Sequence, residues 1–140
     1  MVEPQPNSHE AAPQDSPRRL HFRRAQRLTH AREFDAVFDA SVRKPAGPLT
    51  VFGISNGTAV TRLGLSIGRR VGGAVVRNRI KRLLREAFRI LQHDMPKGLD
   101  LIITVRPHAP LRLAAYRELL LDAVRRVDTE LQRRTRRREP

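Results

Sequence analysis

Six cations, Arg77, Arg79, Lys81, Arg82, Arg85 and Arg89, fall within thirteen residues, with Asn78 set among them. Guanidinium forks donate paired hydrogen bonds that match phosphate oxygens, and an ammonium adds a point charge. Arg69 and Arg70 lie just upstream and add to the same end. The chemistry this set can perform is to hold a polyanion. Cleaving one is another matter, because a protein nuclease needs clustered carboxylates for a metal, or a histidine pair beside a cation. The 14 acids are scattered, and of Glu33, Asp35 and Asp39 only the two aspartates have one-turn spacing. His9, His21, His30, His93 and His108 show no ligand spacing. No glycine-rich loop followed by Lys and Ser or Thr is present to cradle a nucleotide. The pattern is one of binding without catalysis.

Composition agrees. In 140 residues, 28 Lys+Arg against 14 Asp+Glu give +14 at neutral pH. Such an excess repels itself in a compact state and implies a polyanionic partner, nucleic acid first and anionic lipid second. No apolar run approaches the roughly 20 residues that span a bilayer, and MVEPQPNSHEAAPQDSP lacks the apolar centre of a secretory signal. The absence of cysteine removes disulfides and thiolate metal sites and fits a reducing compartment, hence a cytoplasmic location. Arginine outnumbers lysine 25 to 3, which suits bidentate phosphate contact but would also follow from a coding bias.

The length suits one domain with a modest core. Residues 1–17 hold Pro4, Pro6, Pro13 and Pro17 among polar residues and read as a disordered tail; 18–132 form a single domain; 133–140 read as a solvated basic tail. A basic arm, Arg18 to Leu28, leads into a helix over 29–39 with Thr29 as N-cap and Phe34 and Phe38 one turn apart. Two strand-like runs, 49–54 and 59–67, flank Asn56-Gly57, a hairpin signal because both residues tolerate positive φ. In the second run Leu63, Leu65 and Ile67 point one way and Arg62, Gly64 and Ser66 the other. After Gly72-Gly73 comes the cationic helix, then a doubly buried strand over 99–105, then a helix from about Leu113 to Leu131. The sum is an α+β sandwich of few strands. A strand–helix–strand unit of parallel strands is right-handed in about 98% of cases.

On a wheel of about 100° per residue, Arg77, Lys81, Arg85, Asn78, Arg89 and Arg82 share an arc of about 140°. Ile80, Leu83, Leu84, Ala87, Ile90 and Leu91 oppose them, Phe88 falls at the border, and Arg79 lies on the flank beside Glu86. Arg77 and Arg79 are thereby expected to face away from the core. A solvated charged face is the ordinary explanation of such a helix, but three features separate this one. Glu86 is the lone acid among the thirteen residues, so i,i+4 pairing is nearly absent. Arg77, Arg79 and Lys81 occupy the first turns, where the macrodipole makes each cation unfavourable by some tenths of a kcal/mol. Arg69 and Arg70 converge on the same end, where free N–H groups also suit phosphate.

Lipid fits less well, because the flanking strands need the apolar face that a membrane would take. For DNA there is no helix-turn-helix pair and no zinc site to orient the helix. A-form RNA, read through its shape and phosphates, suits many cations with few polar readers.

The run R62-L-G-L-S-I-G-R-R-V-G-G-A-V-V-R-N-R-I-K-R-L-L-R-E-A-F88 resembles the signature of the bacterial ribonuclease P protein component. R27-L-T-H-A-R-E-F-D-A-V-F38 is similar to that family's first helix, and D100-L-I-I-T-V-R-P107 and Tyr116-Arg117-Glu118-Leu119 match further on. The likeness spans roughly residues 25–130 in the family's order. It implies an α-β-β-β-α-β-α sandwich with a left-handed βαβ crossover (ribosomal protein S5 domain 2-like), against the general statistic. It also implies that Arg77, Asn78, Arg79, Lys81, Arg82 and Arg85, supported by Arg69 and Arg70, bind the catalytic RNA subunit. Phe34, Phe38 and Phe52 would line a cleft for the 5′ leader of precursor tRNA, where aromatic faces with a cationic rim stack a single strand without sequence demand. The implied protein is a non-catalytic, monomeric subunit in a 1:1 complex. Mg2+ would enter through the RNA, with no recognisable protein motif to bind it.

The other reading is a general structural RNA-binding protein with no link to catalysis. Three positions depart from the family's habit: Gly68 and Gly73 stand where it has serine and a polar residue, leaving one contact fewer. Ala115 replaces the usual Ser/Thr before Tyr116, which predicts a frayed start to the last helix.

Overall fold

The computed structural model describes residues 24–40 and 42–138; the expected 1–17 tail and the first part of the basic arm lie outside them. In chain order the elements are α1 (Ala31–Asp39), β1 (Arg43–Ala46), β2 (Leu49–Ser55), β3 (Arg62–Ser66), α2 (Ala74–Leu91), β4 (Leu99–Val105) and α3 (Leu113–Arg138). The strands form one mixed sheet in the order β1-β2-β4-β3, with β3 and β4 parallel and the other pairs antiparallel. This is the α+β class and α-β-β-β-α-β-α order expected.

Alternation along the strands assigns each sheet face its partner. Leu49, Val51, Leu63, Leu101 and Ile103 bury against α2 and α3. Ile102 faces the other way, with Phe52 and Ile54, toward Val37 of α1. The first five residues of β4 are all buried, as its scarcely alternating sequence predicts.

The β3–α2–β4 crossover is left-handed, and the hand follows from stereochemistry. The Arg106 amide donates to the Pro48 carbonyl at 2.8 Å, so even-numbered residues of β4 turn their backbone groups toward β2. View β4 running upward with the Ile102 side chain toward the reader. L-chirality then carries that residue's amide and carbonyl to the right. This puts β2 on the right, β3 on the left and α2 behind the sheet. A path up β3, back through α2 and up β4 winds left, against the roughly 98% statistic.

The expected hairpin at Asn56-Gly57 is wrong. β4 inserts between β2 and β3, and the Asn56 side chain donates to Asp100 at 2.8 Å and to the Val60 carbonyl at 2.9 Å instead. The actual hairpin joins β1 to β2 through Gly47-Pro48, with Ala46 opposite Leu49 and Gly47 at φ 56°. Its first strand, Arg-Lys-Pro-Ala, is too polar to read as a strand, and Pro45 is tolerated because β1 is an edge.

Helix ends also differ from expectation. His30, not Thr29, is the N-cap of α1, and the Glu33 carboxylate accepts from the His30 amide at 3.4 Å. The start of α3 is pinned rather than frayed: buried Tyr116 accepts from the Leu111 amide at 3.1 Å and meets His108 Nε2 at 2.7 Å. Residues 133–138, read as a solvated tail, continue α3 as helix.

A charged bridge fixes α1 on the sheet. Arg62 of β3 donates to Glu33 of α1 at 2.7 Å and to Asp100 of β4 at 2.6 and 2.8 Å. Asp100 is only 5% exposed. The bonds to Asp100 raise the Arg62 pKa far above its ordinary range, outweighing burial, with help from Glu33. Burial pushes the Glu33 carboxyl up, but hydrogen bonds from Arg62 and the His30 amide overcome it and hold it below the usual value.

Replacing Arg62 by Met should lower stability by about 3–5 kcal/mol in urea unfolding, because Asp100 is left charged and buried. A loss under about 0.5 kcal/mol would show that the bridge is not holding α1. Because the folded-state pKa of Glu33 is lowered, its contribution is present above the usual 4.5 and lost as pH falls through the lowered value. Stability of the wild type should therefore fall more steeply than that of Glu33→Gln once pH drops below about 4.5.

Candidate nucleic-acid interface

The rotation of α2 decides which of its cations can meet a partner. Ile80, Leu84, Ala87, Phe88 and Leu91 are buried. Phe88, placed by the wheel at the border, is 1% exposed, so the buried arc is turned toward Arg77. Arg77 is accordingly half-buried, and its Nε donates to the Gly72 carbonyl at 3.1 Å. This corrects the expectation that Arg77 faces wholly outward. It braces the turn into the helix while its remaining guanidinium N–H groups stay available.

Asn78, Arg79, Arg82 and Arg85 are exposed and Lys81 is half-exposed. Arg69 and Arg70 are exposed in a 3-10 turn, Arg69–Val71, that leads into the helix. Among the described residues, none of Arg69, Arg70, Arg77, Arg79, Lys81, Arg82 and Arg85 forms a salt bridge. The single acid of the helix is taken by its neighbour. Glu86 pairs with Arg89, and that hydrogen bond holds its carboxyl below the usual range.

The N-terminus of α2 is open. Gly73 is the N-cap and contributes no side-chain bond. A side chain at Gly68 or Gly73 would meet nothing within 4 Å, so neither glycine is sterically required there. Val75, at 83% exposure, stands one turn before Arg79 and gives the cationic face an apolar spot.

The second candidate surface is the sheet face beneath α1. Phe34, Phe38 and Phe52 meet there, each half-buried. The Phe34 and Phe38 rings are 6.5 Å apart, and Phe38 meets Phe52 edge-on at 4.9 Å. Phe34 lies directly on the strand: a Cβ at Gly64 would come within 2.6 Å of its Cζ. Sequence reasoning placed Gly64 on this face but missed its purpose; the signal was a glycine between two core leucines.

The two surfaces join. A hollow of ≈ 180 Å³ is lined by Arg27, Thr29, Phe34, Gly64, Leu65 and, from α2, Arg85. The structure thus gathers Arg69, Arg70, Arg77, Asn78, Arg79, Lys81, Arg82 and Arg85 at one helix and its lead-in, and places Phe34, Phe38 and Phe52 in one cluster beside Arg85. Arg27 was missed because it reads as one more cation of a basic arm.

Among the described residues no three of His, Asp and Glu converge on a point that could hold a metal ion. Glu33 and Asp100 are both engaged by Arg62.

Comparison with known proteins shows the family. The family model described as Ribonuclease P matches residues 22–128. A ribonuclease P protein component from Brevibacillus brevis is 37% identical over 105 residues, 74% of this chain and 83% of the relative. One from Oleidesulfovibrio alaskensis is 40% identical over 101 residues, 71% of this chain and 77% of the relative. The solved ribonuclease P protein from Thermotoga maritima superposes with a TM-score of 0.66 at 30% identity, covering 71% of this chain and 96% of its own. The match runs from just before α1 into α3, through both the cationic helix and the aromatic cluster, and on that ground the chain belongs to the ribonuclease P protein family.

Proposed function

We propose that this chain is the protein subunit of the ribonuclease P ribonucleoprotein, which removes the 5′ leader of precursor tRNA endonucleolytically to give the mature 5′ end. The observation that carries the proposal is the outward face of α2, where Arg79, Lys81, Arg82 and Arg85 have no carboxylate partners among the described residues and only Arg89 is paired, with Glu86, on a chain of this family. That face, with Arg69 and Arg70, grips the phosphates of the catalytic RNA. The cleft of Phe34, Phe38 and Phe52 receives the single-stranded leader, its rings stacking bases without sequence demand.

The polypeptide binds and positions; the chemistry belongs to the RNA. Among the described residues no three His, Asp or Glu side chains converge to hold Mg2+, and Glu33 and Asp100 are bonded to Arg62, so the ion is assigned to the RNA subunit. One protein per RNA, acting in the cytoplasm, completes the proposal. No helix among the described residues is long and apolar enough to cross a membrane.

At low magnesium, adding the protein should improve cleavage of precursor tRNA by the catalytic RNA, and the benefit should shrink as the leader is trimmed to one or two nucleotides. Equal affinity for every structured RNA of similar size, without effect on cleavage, would instead make it a general RNA-binding protein. Neutralising about six phosphates should give a log–log salt slope of roughly −4 to −5.

Changing Arg79 and Arg82 together to Ala should weaken binding of the catalytic RNA by about 1.5–3 kcal/mol per lost charge-assisted bond and leave the unfolding midpoint unchanged. Unaltered RNA affinity would remove this face from the interface. Phe52→Leu keeps apolar bulk but removes the ring, so it should weaken leader-bearing precursor by about 1–3 kcal/mol while sparing mature tRNA. The same loss on both substrates would take Phe52 out of the cleft.

A further inference from the structure

Beyond Leu131 the inward stripe of α3 changes character. Tyr116, Leu120, Val124, Val127 and Leu131 pack against the core, and the same helical spacing then places Arg134 and Arg138. Leu131, Arg134, Thr135 and Arg138 form one wall of a groove of ≈ 290 Å³, and Ala40, Val42, Ile54 and Ser55 form the other. Ile54 also packs with Phe34, Phe38 and Phe52, so the groove opens beside the aromatic cleft.

Arg134 ties this extension down, donating to Glu130 at 3.0 Å and to the Ala40 carbonyl at 3.2 Å. Arg136 and Arg138 are exposed and have no bonding partner among the described residues. Arg136 lines an adjoining hollow with Ser55, Leu131 and Thr135. The match to the family model ends at residue 128, before these cationic turns of α3. Favourable interaction with the macrodipole accounts for cations in a last turn. It does not account for arginine taking over the inward stripe, facing an apolar wall that leads to the cleft.

We propose that this groove extends the single-strand track: RNA lying across Phe34, Phe38 and Phe52 continues between the end of β2 and α3, with its phosphates on Arg136 and Arg138. The inference rests on the leader-cleft reading above and adds a second segment to it. The apolar floor of Val42, Ile54 and Leu131 receives the base or ribose, and the guanidiniums receive the backbone.

The test uses the assembled holoenzyme carrying Arg136→Gln and Arg138→Gln, with precursor tRNA leaders trimmed one nucleotide at a time. Both side chains are exposed, so folding and the short-leader behaviour should be unchanged. Affinities of variant and wild type should coincide for short leaders and diverge by about three- to tenfold for long ones. The salt slope on long leaders should become shallower by about one to two. Coincident curves at every length, with the wild type still gaining from added leader, would overturn the inference and leave the cleft reading standing. A uniform loss that includes mature tRNA would overturn it by placing the extension on the catalytic RNA. A wild-type curve that is flat with leader length would overturn the cleft reading, and this inference with it.

Discussion

The rotation of α2 about its own axis is the constraint on which the rest depends. Burial of Ile80, Leu84, Ala87, Phe88 and Leu91 sets that rotation, and fully burying each large side chain is worth roughly 1.5–3 kcal/mol. No rearrangement of surface charge competes with a term of that size. The core therefore decides that Asn78, Arg79, Arg82 and Arg85 point outward and that Arg77 is drawn half inside. Self-repulsion among the outward cations follows from core packing. It is relieved when an anion arrives, which is why the arrangement reads as an interface.

The sheet works by the same division of faces. One side is covered by two long helices, α2 and α3. Among the described residues the other is covered by α1, with nine residues, and by Leu28 just before it, and a helix of that length cannot cover four strands. Phe34, Phe38 and Phe52 are left half-buried for that reason. The Glu33–Arg62–Asp100 bridge holds α1 at one end of the sheet, so the uncovered part stays a cleft. Arg85 then connects that cleft to the cationic face of α2.

Much of this was legible in the sequence, and the misses have physical causes. The period of α2, the doubly buried β4 and the pairing of Phe34 with Phe38 are local patterns, and the structure keeps them. Asn56-Gly57 is a turn in local terms, yet β4 inserts between its flanking strands, a non-local event that no turn residue reports. β1 escaped notice because an edge strand tolerates Pro45 and charge. The place of Phe88 depends on the segment before β3, whose Ala59, Val60 and Thr61 lie around it with Met95, and a wheel does not contain that. The Arg-rich end of α3 looks like a solvated tail by composition, but the helix continues through it. The left-handed crossover came from the family resemblance; the residues alone favoured the opposite hand.

Chemical labelling of arginine in the protein, read residue by residue with and without the catalytic RNA, tests the central claim most directly. The account predicts that Arg79, Arg82 and Arg85 lose reactivity on assembly while Arg125, exposed on α3, keeps it. Equal reactivity of the three α2 arginines in free protein and complex would contradict it.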